Sequence, residues 1–491
     1  MSPDFRSHRP SAIPTLSRRR LLMDSALGFG ALAMNALLGG TAHAAASANP
    51  GTSGQRGKRH HRPKARNVIF LYMDGGVSQV DTFDPKPRLT REDGKPFGLR
   101  MEPTQFEDNG ATLGSPWAFR PRGQSGLPVS ELFPQVGSRA DDLCVIRSMV
   151  SRFSEHNAAN YFLHSGSGMA GRPSMGAWTT YGLGSENRDL PGYVVLDGGL
   201  IPSGGVDCFG PGFLPADHQA SLLRNDLPAL ANIQPLETSP GLQRGKLDSV
   251  RALDAAALGR LGAHDALEAA IANAELAYRM QMSVPEATSI AGESEATRRL
   301  YGLDAASEHT RAYGRQCLVA RRLVERGVRF VQIYCGAENT TARKVRPNWD
   351  SHEDLVRDHG YWGAVLDSGA AALLSDLKAR GLLESTLVIC TTEFGRQPAA
   401  QGAGKGRDHN PGAFTAWLAG GGIRGGSSFG ETDALGFKAA VNPVYCYDLH
   451  ATALHLLGLD HEKLTFYNNG IPRRLTDVHG HVIHKILEHS A

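Results

Sequence analysis

The 491-residue sequence has few cysteines, few aromatic residues and almost no net charge. Its six cysteines are scattered without a C-x-x-C pair, and we predict no particular disulfide. The C-x-x-C-H pattern of haem attachment is also absent, so an oxidoreductase has no support among the motifs. Hydrophobic residues make up 41% and charged residues 21% of the chain, which is typical of a globular protein and not of a disordered one.

The near-balance of charge hides an uneven distribution along the chain. Residues 1–66 hold eleven Lys or Arg against two Asp or Glu, whereas the remainder holds 41 against 47. Binding to a phosphate backbone requires clustered positive charge, so this acidic remainder argues against nucleic acid as a partner.

The N-terminal region has the pattern of an export signal. Residues 17–23 read SRRRLLM, a twin-arginine pattern, and a weakly apolar run over 25–40 leads to an A-x-A cleavage site at 42–44. Glycines interrupt the apolar run, so we expect no stable membrane span, and an uncleaved anchor is the alternative. We therefore expect a twin-arginine signal peptide at 1–44, the twin-arginine translocase as export partner, and a periplasmic or extracellular protein.

Short apolar runs alternate with helical patterns from residue 67 onward, after a flexible basic linker predicted for residues 45–66. The predicted strands lie at 67–73, 142–147, 192–196, 328–334, 386–392 and 414–421, and amphipathic helical patterns lie at 310–326, 360–380 and 448–457. This alternation predicts an α/β fold with a central, mostly parallel sheet and helices on both faces. We expect one domain over 67–491, with a helical insertion at about 244–305.

Carboxylates, imidazoles and arginines follow several of the predicted strands. Ligands gather beyond the carboxyl ends of the strands in such sheets, so we expect these side chains to lie near one another. Carboxylates and imidazoles are the ligands that a divalent cation requires, and neighbouring arginines can hold an oxyanion. The candidates are Asp74, His156, Asp350, His352, Glu393, Arg396, Arg407, Asp408 and His409.

These candidates also have structural interpretations. Asp74 precedes two glycines and is equally consistent with a turn. The D-x-H pair at 350–352 can form a local hydrogen-bonded loop. A buried carboxylate at Glu393 requires a metal or an arginine, and Arg396 or Arg407 can supply a structural salt bridge.

Seven stretches of the chain, in the expected order, resemble the bacterial domain-of-unknown-function 1501 family. They are GGVSQVDTFDPKP (75–87), HNAANYFLHSG (156–166), NWDSH (348–352), LKARGLLESTLVICTTEFGR (377–396), GRDHN (406–410), WLAGGGIRGG (417–426) and RRLTDVHG (473–480). That family is similar in fold to the alkaline phosphatase and sulfatase superfamily. The resemblance implies an alkaline phosphatase-like fold and a centre of one or two metal ions that cleaves phosphate, sulfate or phosphonate esters.

The resemblance also implies roles for individual residues. The implied metal ligands are Asp74, Asp350, His352, Glu393 and His409, with Asp408 in support. The superfamily has Asp-His-Gly after the strand at 386–392, whereas this chain has Glu-Phe-Gly at 393–395, so the carboxylate is kept and the imidazole is lost. The spacing of the D-x-H pair is also shorter than in the superfamily.

The nucleophile is the main departure from the superfamily. None of the six cysteines lies in a C/S-x-P-x-R signature, so we do not expect a formylglycine sulfatase. The corresponding position, ten residues before the glycine of LHSG, is His156, which can be a covalent acceptor, a general acid or base, or a metal ligand. Ser78 is a second candidate nucleophile and can equally be a loop cap.

The sequence thus predicts an exported metal-dependent hydrolase of phosphate or sulfate esters, with a small anionic ester as its substrate. Arg396 and Arg407 would stabilise negative charge in the transition state. The metal can be Zn, Ca, Mg or Mn, since mixed oxygen and nitrogen ligands suit all four. The alternative is a non-catalytic envelope binding or assembly protein that keeps the fold and a structural metal.

Overall fold

The structure is a computed structural model that describes residues 59–488, except 101–108, 226–228, 231–232, 234–236, 238, 263–264, 339 and 341–343. The predicted signal peptide and the predicted linker up to residue 58 lie outside these residues. Within the described part of the chain, no helix combines the length and the apolar character that crossing a membrane requires.

The helices and strands alternate along the chain. The strands are β1 (Asn67–Tyr72), β2 (Asn109–Thr112), β3 (Phe119–Arg122), β4 (Leu127–Ser130), β5 (Leu143–Val150), β6 (Tyr193–Asp197), β7 (Ser221–Arg224), β8 (Phe330–Tyr334), β9 (Thr386–Thr391), β10 (Gly395–Arg396), β11 (Ala399–Gln401), β12 (His409–Asn410), β13 (Phe414–Ala419), β14 (Ser427–Phe429), β15 (Glu431–Thr432), β16 (Ala439–Val441), β17 (Val444–Tyr445), β18 (Phe466–Asn468) and β19 (Ile471–Arg473). The helices are α1 (Gln79–Thr82), α2 (Pro87–Arg91), α3 (Pro134–Gly137), α4 (His156–Ser165), α5 (Met175–Leu183), α6 (Pro240–Leu261), α7 (Asp265–Thr288), α8 (Glu295–Leu300), α9 (Glu308–Glu325), α10 (Leu355–Ala379) and α11 (Cys446–Leu456).

A nine-stranded sheet forms the centre of the molecule. Its strands follow the order β14-β5-β13-β9-β1-β8-β6-β7, and β17 also pairs with β5. Strand β13 is antiparallel to both of its neighbours, and the other pairs in this sheet are parallel. The predicted α/β fold with a mostly parallel central sheet is confirmed.

Both faces of the sheet are buried, as the continuous apolar runs predict. Alternate residues of β1 point to opposite faces, so Ile69 and Leu71 join one core while Val68 and Phe70 join the other. Helices α9 and α10 pack on the first face, and α5 and α11 contribute to the second core. The helical layers on both faces therefore agree with the prediction.

The strand directions determine where the polar segments meet. Because β1, β5, β8 and β9 run in the same direction, their carboxyl ends lie at one edge of the sheet. Strand β13 runs in the opposite direction, so the residues before it, including those of β12, reach the same edge from its amino end. The predicted candidates lie in these segments.

Two peripheral regions are tied to this body. Helices α6, α7 and α8 occupy most of the region predicted as a helical insertion, and Arg321 of α9 pairs with Glu293 at 2.7 Å and with Asp376 of α10 at 2.9 Å. Residues 59–66, here called the docking segment, lie against the loop after α11. Lys64 N and Ala65 N both donate to the Leu456 carbonyl, at 2.8 and 2.9 Å.

Candidate metal centre

A tight turn after β1 begins the site. Gly75 and Gly76 have φ angles of 108° and 82°, which favour glycine. A Cβ on Gly75 would lie 2.6 Å from the Asp350 nitrogen, so a side chain does not fit there. The turn places the Gly75 nitrogen 2.9 Å from Glu393 Oε1 and so joins the ends of β1 and β9.

Three imidazoles converge on one carboxylate oxygen, Asp350 Oδ1. His352 Nε2 lies 2.7 Å from this oxygen, His409 Nε2 lies 3.2 Å from it, and His156 Nε2 lies 3.4 Å from it. Arg396 Nη2 donates to the same oxygen at 2.6 Å. The segments after β5, β8 and β9 and the segment before β13 therefore meet at a single point.

The opposite nitrogen of each imidazole is held by an oxygen. His156 Nδ1 lies 2.8 Å from Glu393 Oε1, His409 Nδ1 lies 2.7 Å from the Ser154 carbonyl, and His352 Nδ1 contacts Gln401 Oε1. In neutral imidazoles that donate through Nδ1, the lone pairs of all three Nε2 atoms face the Asp350 oxygen. Histidines that bind metals in proteins show the same pattern: an oxygen atom accepts from one ring nitrogen, and the other ring nitrogen is thereby directed at the metal.

The site therefore fits a divalent cation on chemical grounds. In this tautomer the Nε2 lone pairs of His352 and His409 face each other and the Asp350 carboxylate, and the Arg396 guanidinium is the cation beside them, with Nη1 3.4 Å from His352 Nε2. A divalent cation among these atoms would neutralise the remaining repulsion. The Nε2 atoms of His352 and His409 are 3.1 Å apart, close to the roughly 3.3 Å between two ligands of a tetrahedral zinc ion. Among the residues that the structure describes, two sets of side chains have ligand atoms within 4.8 Å of one another: His156, Asp350 and His409, and His352, Asp408 and His409.

The pKa values of the clustered side chains also indicate that this site favours a bound positive charge. Burial would lower the pKa of His156, but its contacts with Asp350 and Glu393 outweigh burial and raise that pKa to about 10. Burial would raise the pKa of Asp350, yet Arg396 and the imidazoles hold it well below its usual range. Burial and the charge of Arg396 lower the pKa of His409 to about 4. One proton on His156 thus supplies the positive charge when a metal does not.

Glu393 is the most heavily bonded carboxylate at this edge. Besides His156 and Gly75, it accepts from the Tyr72 hydroxyl at 2.7 Å and from Thr392 Oγ1 at 2.9 Å. Burial opposes its ionisation, but the hydrogen bond and charge of His156 lower its pKa. Glu393 therefore contacts the His156 nitrogen that faces away from Asp350, and it does not join the ligand sets found among the described residues.

Asp74 lies beside Glu393, outside both ligand sets. Its Oδ2 accepts from Asn348 Nδ2 at 2.7 Å, while its buried Oδ1 has no hydrogen-bond partner among the described residues. Burial and the charge of Glu393 raise the pKa of Asp74 to about 7. Asp74 is therefore a second buried carboxyl group beside the centre, and the negative charge of Glu393 opposes its ionisation.

The structure does not bring Arg407 or Ser78 into the centre. Arg407 is fully buried and pairs with Asp81, through Nε at 2.8 Å and Nη2 at 3.2 Å. The Ser78 hydroxyl donates to the same Asp81, and the Ser78 nitrogen donates to His359 Nε2 at 3.1 Å. Both side chains hold the turn and α1 in place, because their polar atoms are directed into this buried network.

Sequence reasoning missed four residues that arrange the centre. These are Asn348, Ser154, Gln401 and Arg346, the last of which donates to Asp350 Oδ2 at 2.9 Å. Asn348 lies in the NWDSH stretch, and its position beside the predicted ligands is the feature of the sequence that could have identified it. Ser154 acts through its carbonyl group, for which a sequence carries no signal.

A family model for the DUF1501 family, described as a protein of unknown function, matches residues 65–487. The chain belongs to the DUF1501 family. The predicted family is thereby confirmed. No curated protein matches the chain.

Solved structures that resemble the chain include sulfatase-like and alkaline phosphatase-like enzymes. A sulfatase from Pseudoalteromonas sp. has 14% identity and a TM-score of 0.33, covering 82% of this chain and 69% of that one. A phosphonate monoester hydrolase of Agrobacterium radiobacter has 11% identity and a TM-score of 0.35, covering 87% and 77%. An alkaline phosphatase from the Antarctic bacterium TAB5 has 12% identity and a TM-score of 0.27, covering 80% and 98%.

Proposed function

We propose that this DUF1501 protein is an exported, metal-dependent hydrolase of phosphate or sulfate esters. The observation that carries the proposal is the convergence of three imidazole Nε2 atoms on Asp350 Oδ1. The twin-arginine pattern in the sequence supports the exported location.

The chain offers a specific ligand set for the cation. His156, His409 and Asp350 form one group of candidate ligands, and His352 and Asp408 extend it on the other side of His409. A divalent cation in such a position lowers the pKa of water and polarises an ester oxygen. Asp350 and His352 have side chains that are 14% and 16% exposed, which leaves an approach from solvent.

Water is the nucleophile that this arrangement favours. The hydroxyl groups near the turn are already engaged, because Ser78 donates to Asp81 and Thr392 donates to Glu393. His156 is oriented by Glu393 and directs Nε2 toward Asp350, so we assign it to metal binding and not to covalent catalysis. Glu393, the Ser154 carbonyl and Gln401 fix the orientation of the three imidazoles.

Metal analysis of the exported protein, purified without chelators, tests the proposal first. We expect at least one equivalent of a divalent metal, and its loss in a folded His409→Ala variant. Hydrolysis of a phosphate monoester or a sulfate ester should then fall by about 100-fold or more in that variant. His481→Ala, which removes an exposed histidine, is the matched control and should change neither quantity.

Two results would contradict the proposal. A well-folded protein that holds no metal after reconstitution would show that Asp350 and its partners form a purely structural ion-pair cluster. A metal-loaded protein that turns over no phosphate, sulfate or phosphonate ester would favour the alternative, a non-catalytic envelope protein with a structural metal.

A further inference from the structure

An arginine can bind a substrate oxyanion only through N–H groups that the protein has not already used. The sequence points to Arg396 and Arg407 as the anion-binding arginines of the proposed hydrolase. Their hydrogen bonds in the structure show whether donors remain for a ligand.

Arg396 has none to spare. Its side chain is fully buried, and Nε donates to the Gly76 carbonyl at 2.8 Å. Nη1 donates to the Arg407 carbonyl at 2.9 Å and lies 3.4 Å from His352 Nε2, and Nη2 donates to the Gly75 carbonyl and to Asp350. The guanidinium therefore braces the turn after β1 and fixes Asp350 Oδ1.

Arg407 is committed to a buried ion pair with Asp81. Its guanidinium is bidentate to Asp81 and also donates to the carbonyls of Gln397 and Gly114. It is fully buried, so an oxyanion at the imidazole cluster does not reach it.

Arg346 differs from both in exposure and in its free donors. Its side chain is 42% exposed, although Nη2 donates to Asp350 Oδ2 at 2.9 Å and Nε donates to the Asp350 carbonyl at 3.0 Å. Nη1 makes no hydrogen bond to any residue in the part of the chain that the structure describes. This partly exposed guanidinium therefore lies directly beside the carboxylate on which the imidazoles converge.

The backbone of Arg346 is fixed, which holds this guanidinium in position. Its nitrogen donates to Asp358 Oδ1 at 3.1 Å, and its carbonyl accepts from Trp362 Nε1 at 2.8 Å. Both partners are buried in α10. Less side-chain and loop freedom is then lost when a ligand binds.

We propose that Arg346 binds the tetrahedral oxyanion of the substrate ester and thereby sets the preference for anionic esters. The inference rests on the proposed function, because the oxyanion must lie at the imidazole cluster to reach the free N–H groups. Phosphate and sulfate share this chemistry, since both present oxygens that suit the fork of an arginine. One edge of the Arg346 guanidinium then binds Asp350, and the other edge binds the ligand.

Calorimetric titration of the metal-loaded protein with inorganic phosphate, and separately with inorganic sulfate, tests the proposal. Arg346→Ala should weaken binding of the preferred anion by about 10- to 100-fold, the range for a hydrogen bond to a charged group. Arg346→Lys keeps the charge without the fork and should lie between the two. The anion that binds wild type more tightly identifies the ester class.

A matched control separates anion binding from support of Asp350. Arg88, 43% exposed, pairs with Glu92 at 2.7 Å and lies outside the imidazole cluster, so Arg88→Ala should bind both anions like wild type. Metal content is measured in every variant. A folded Arg346→Ala protein that binds anions as tightly as wild type overturns the proposal, and so does one that loses its metal, because Arg346 then acts only by holding Asp350.

Failure of this proposal and failure of the proposed function give different results. Absence of ester turnover contradicts the hydrolase, whereas anion affinity is measured without turnover. A wild-type protein that holds metal but binds neither phosphate nor sulfate overturns the role of Arg346 alone.

Discussion

At the scale of single residues, Glu393 shows how a buried carboxylate acts without being a ligand. His156 Nδ1, Gly75 N, Tyr72 OH and Thr392 Oγ1 all direct donors at it. Four donors favour the charged form, so Glu393 can remain ionised at 1% exposure and orient His156.

Glu393→Gln should weaken metal binding by about 10- to 100-fold, the usual cost of losing the carboxylate behind a ligand histidine. The amide NH₂ would face donors where the carboxylate accepts, and His156 would lose its charged partner. Competition with a chelator measures the change in affinity. Glu384→Gln, an exposed carboxylate before β9, is the control and should bind metal like wild type. Unchanged affinity in Glu393→Gln would show that Glu393 does not orient His156.

The sequence located most of the centre but not the directions of its side chains. Asp350, His352 and His409 were predicted as ligands, and the structure brings them together because strand ends meet at one edge. Arg407 also lies at that edge, yet its guanidinium forms a buried ion pair with Asp81. Arg346 was overlooked because it lies in an irregular loop, where no periodicity indicates which way a side chain points.

At the scale of elements, β13 is the strand that a sequence describes least well. Its apolar run predicts a buried strand but not its direction, since parallel and antiparallel central strands share that composition. Its antiparallel orientation puts its amino end beside the carboxyl ends of β9 and β5. His409 and Asp408 reach the centre for this reason alone, so the direction of one strand completes the ligand sets.

The docking segment should loosen in acid. His60 Nδ1 accepts from the Asp460 nitrogen at 2.8 Å and must be unprotonated to do so. Burial and the positive charge of Lys463 lower the pKa of His60, whereas Asp460 opposes them, so the folded state binds this proton less tightly than the unfolded state. The contribution of His60 is therefore present above its ordinary pKa of about 6.5 and is lost as pH falls below it.

Hydrogen exchange of the Lys64 and Ala65 amides measures this loosening. After correction for the intrinsic pH dependence of exchange, their protection should fall between pH 7 and pH 5. His60→Asn keeps an acceptor that does not titrate and should reduce that fall. His455, whose ring lies 4.5 Å from that of His61 and whose pKa is lowered by burial, is a neighbouring group whose titration would leave a residual effect. Equal pH dependence in both proteins would rule out His60 as the sensor.

At the scale of the whole molecule, the six cysteines are buried and unpaired. Cys144 lies in β5 and Cys390 in β9, the two strands that flank β13, and burial raises the pKa of both thiols. Packing of the two cores, and not covalent bridges, therefore holds the described part of the chain together.

A thiol reagent should consequently label the native protein very slowly. Reaction requires an exposed thiolate, so labelling of the six cysteines should follow unfolding and become complete in denaturant. Counting the modified thiols by mass spectrometry over time checks this. Rapid modification of even one cysteine in native protein would show that part of the core opens without global unfolding.

The position of β1 has a consequence for how the chain is made. This strand ends at residue 72, yet its two neighbours in the sheet, β8 and β9, end at residues 334 and 391. At roughly 5–20 residues per second, a ribosome needs on the order of tens of seconds to supply them. During that time the apolar sequence NVIFLY has no native pairing partner and is prone to aggregate. The sheet therefore closes around its first strand only late in synthesis, and a chaperone that shields this segment should raise the yield of folded protein.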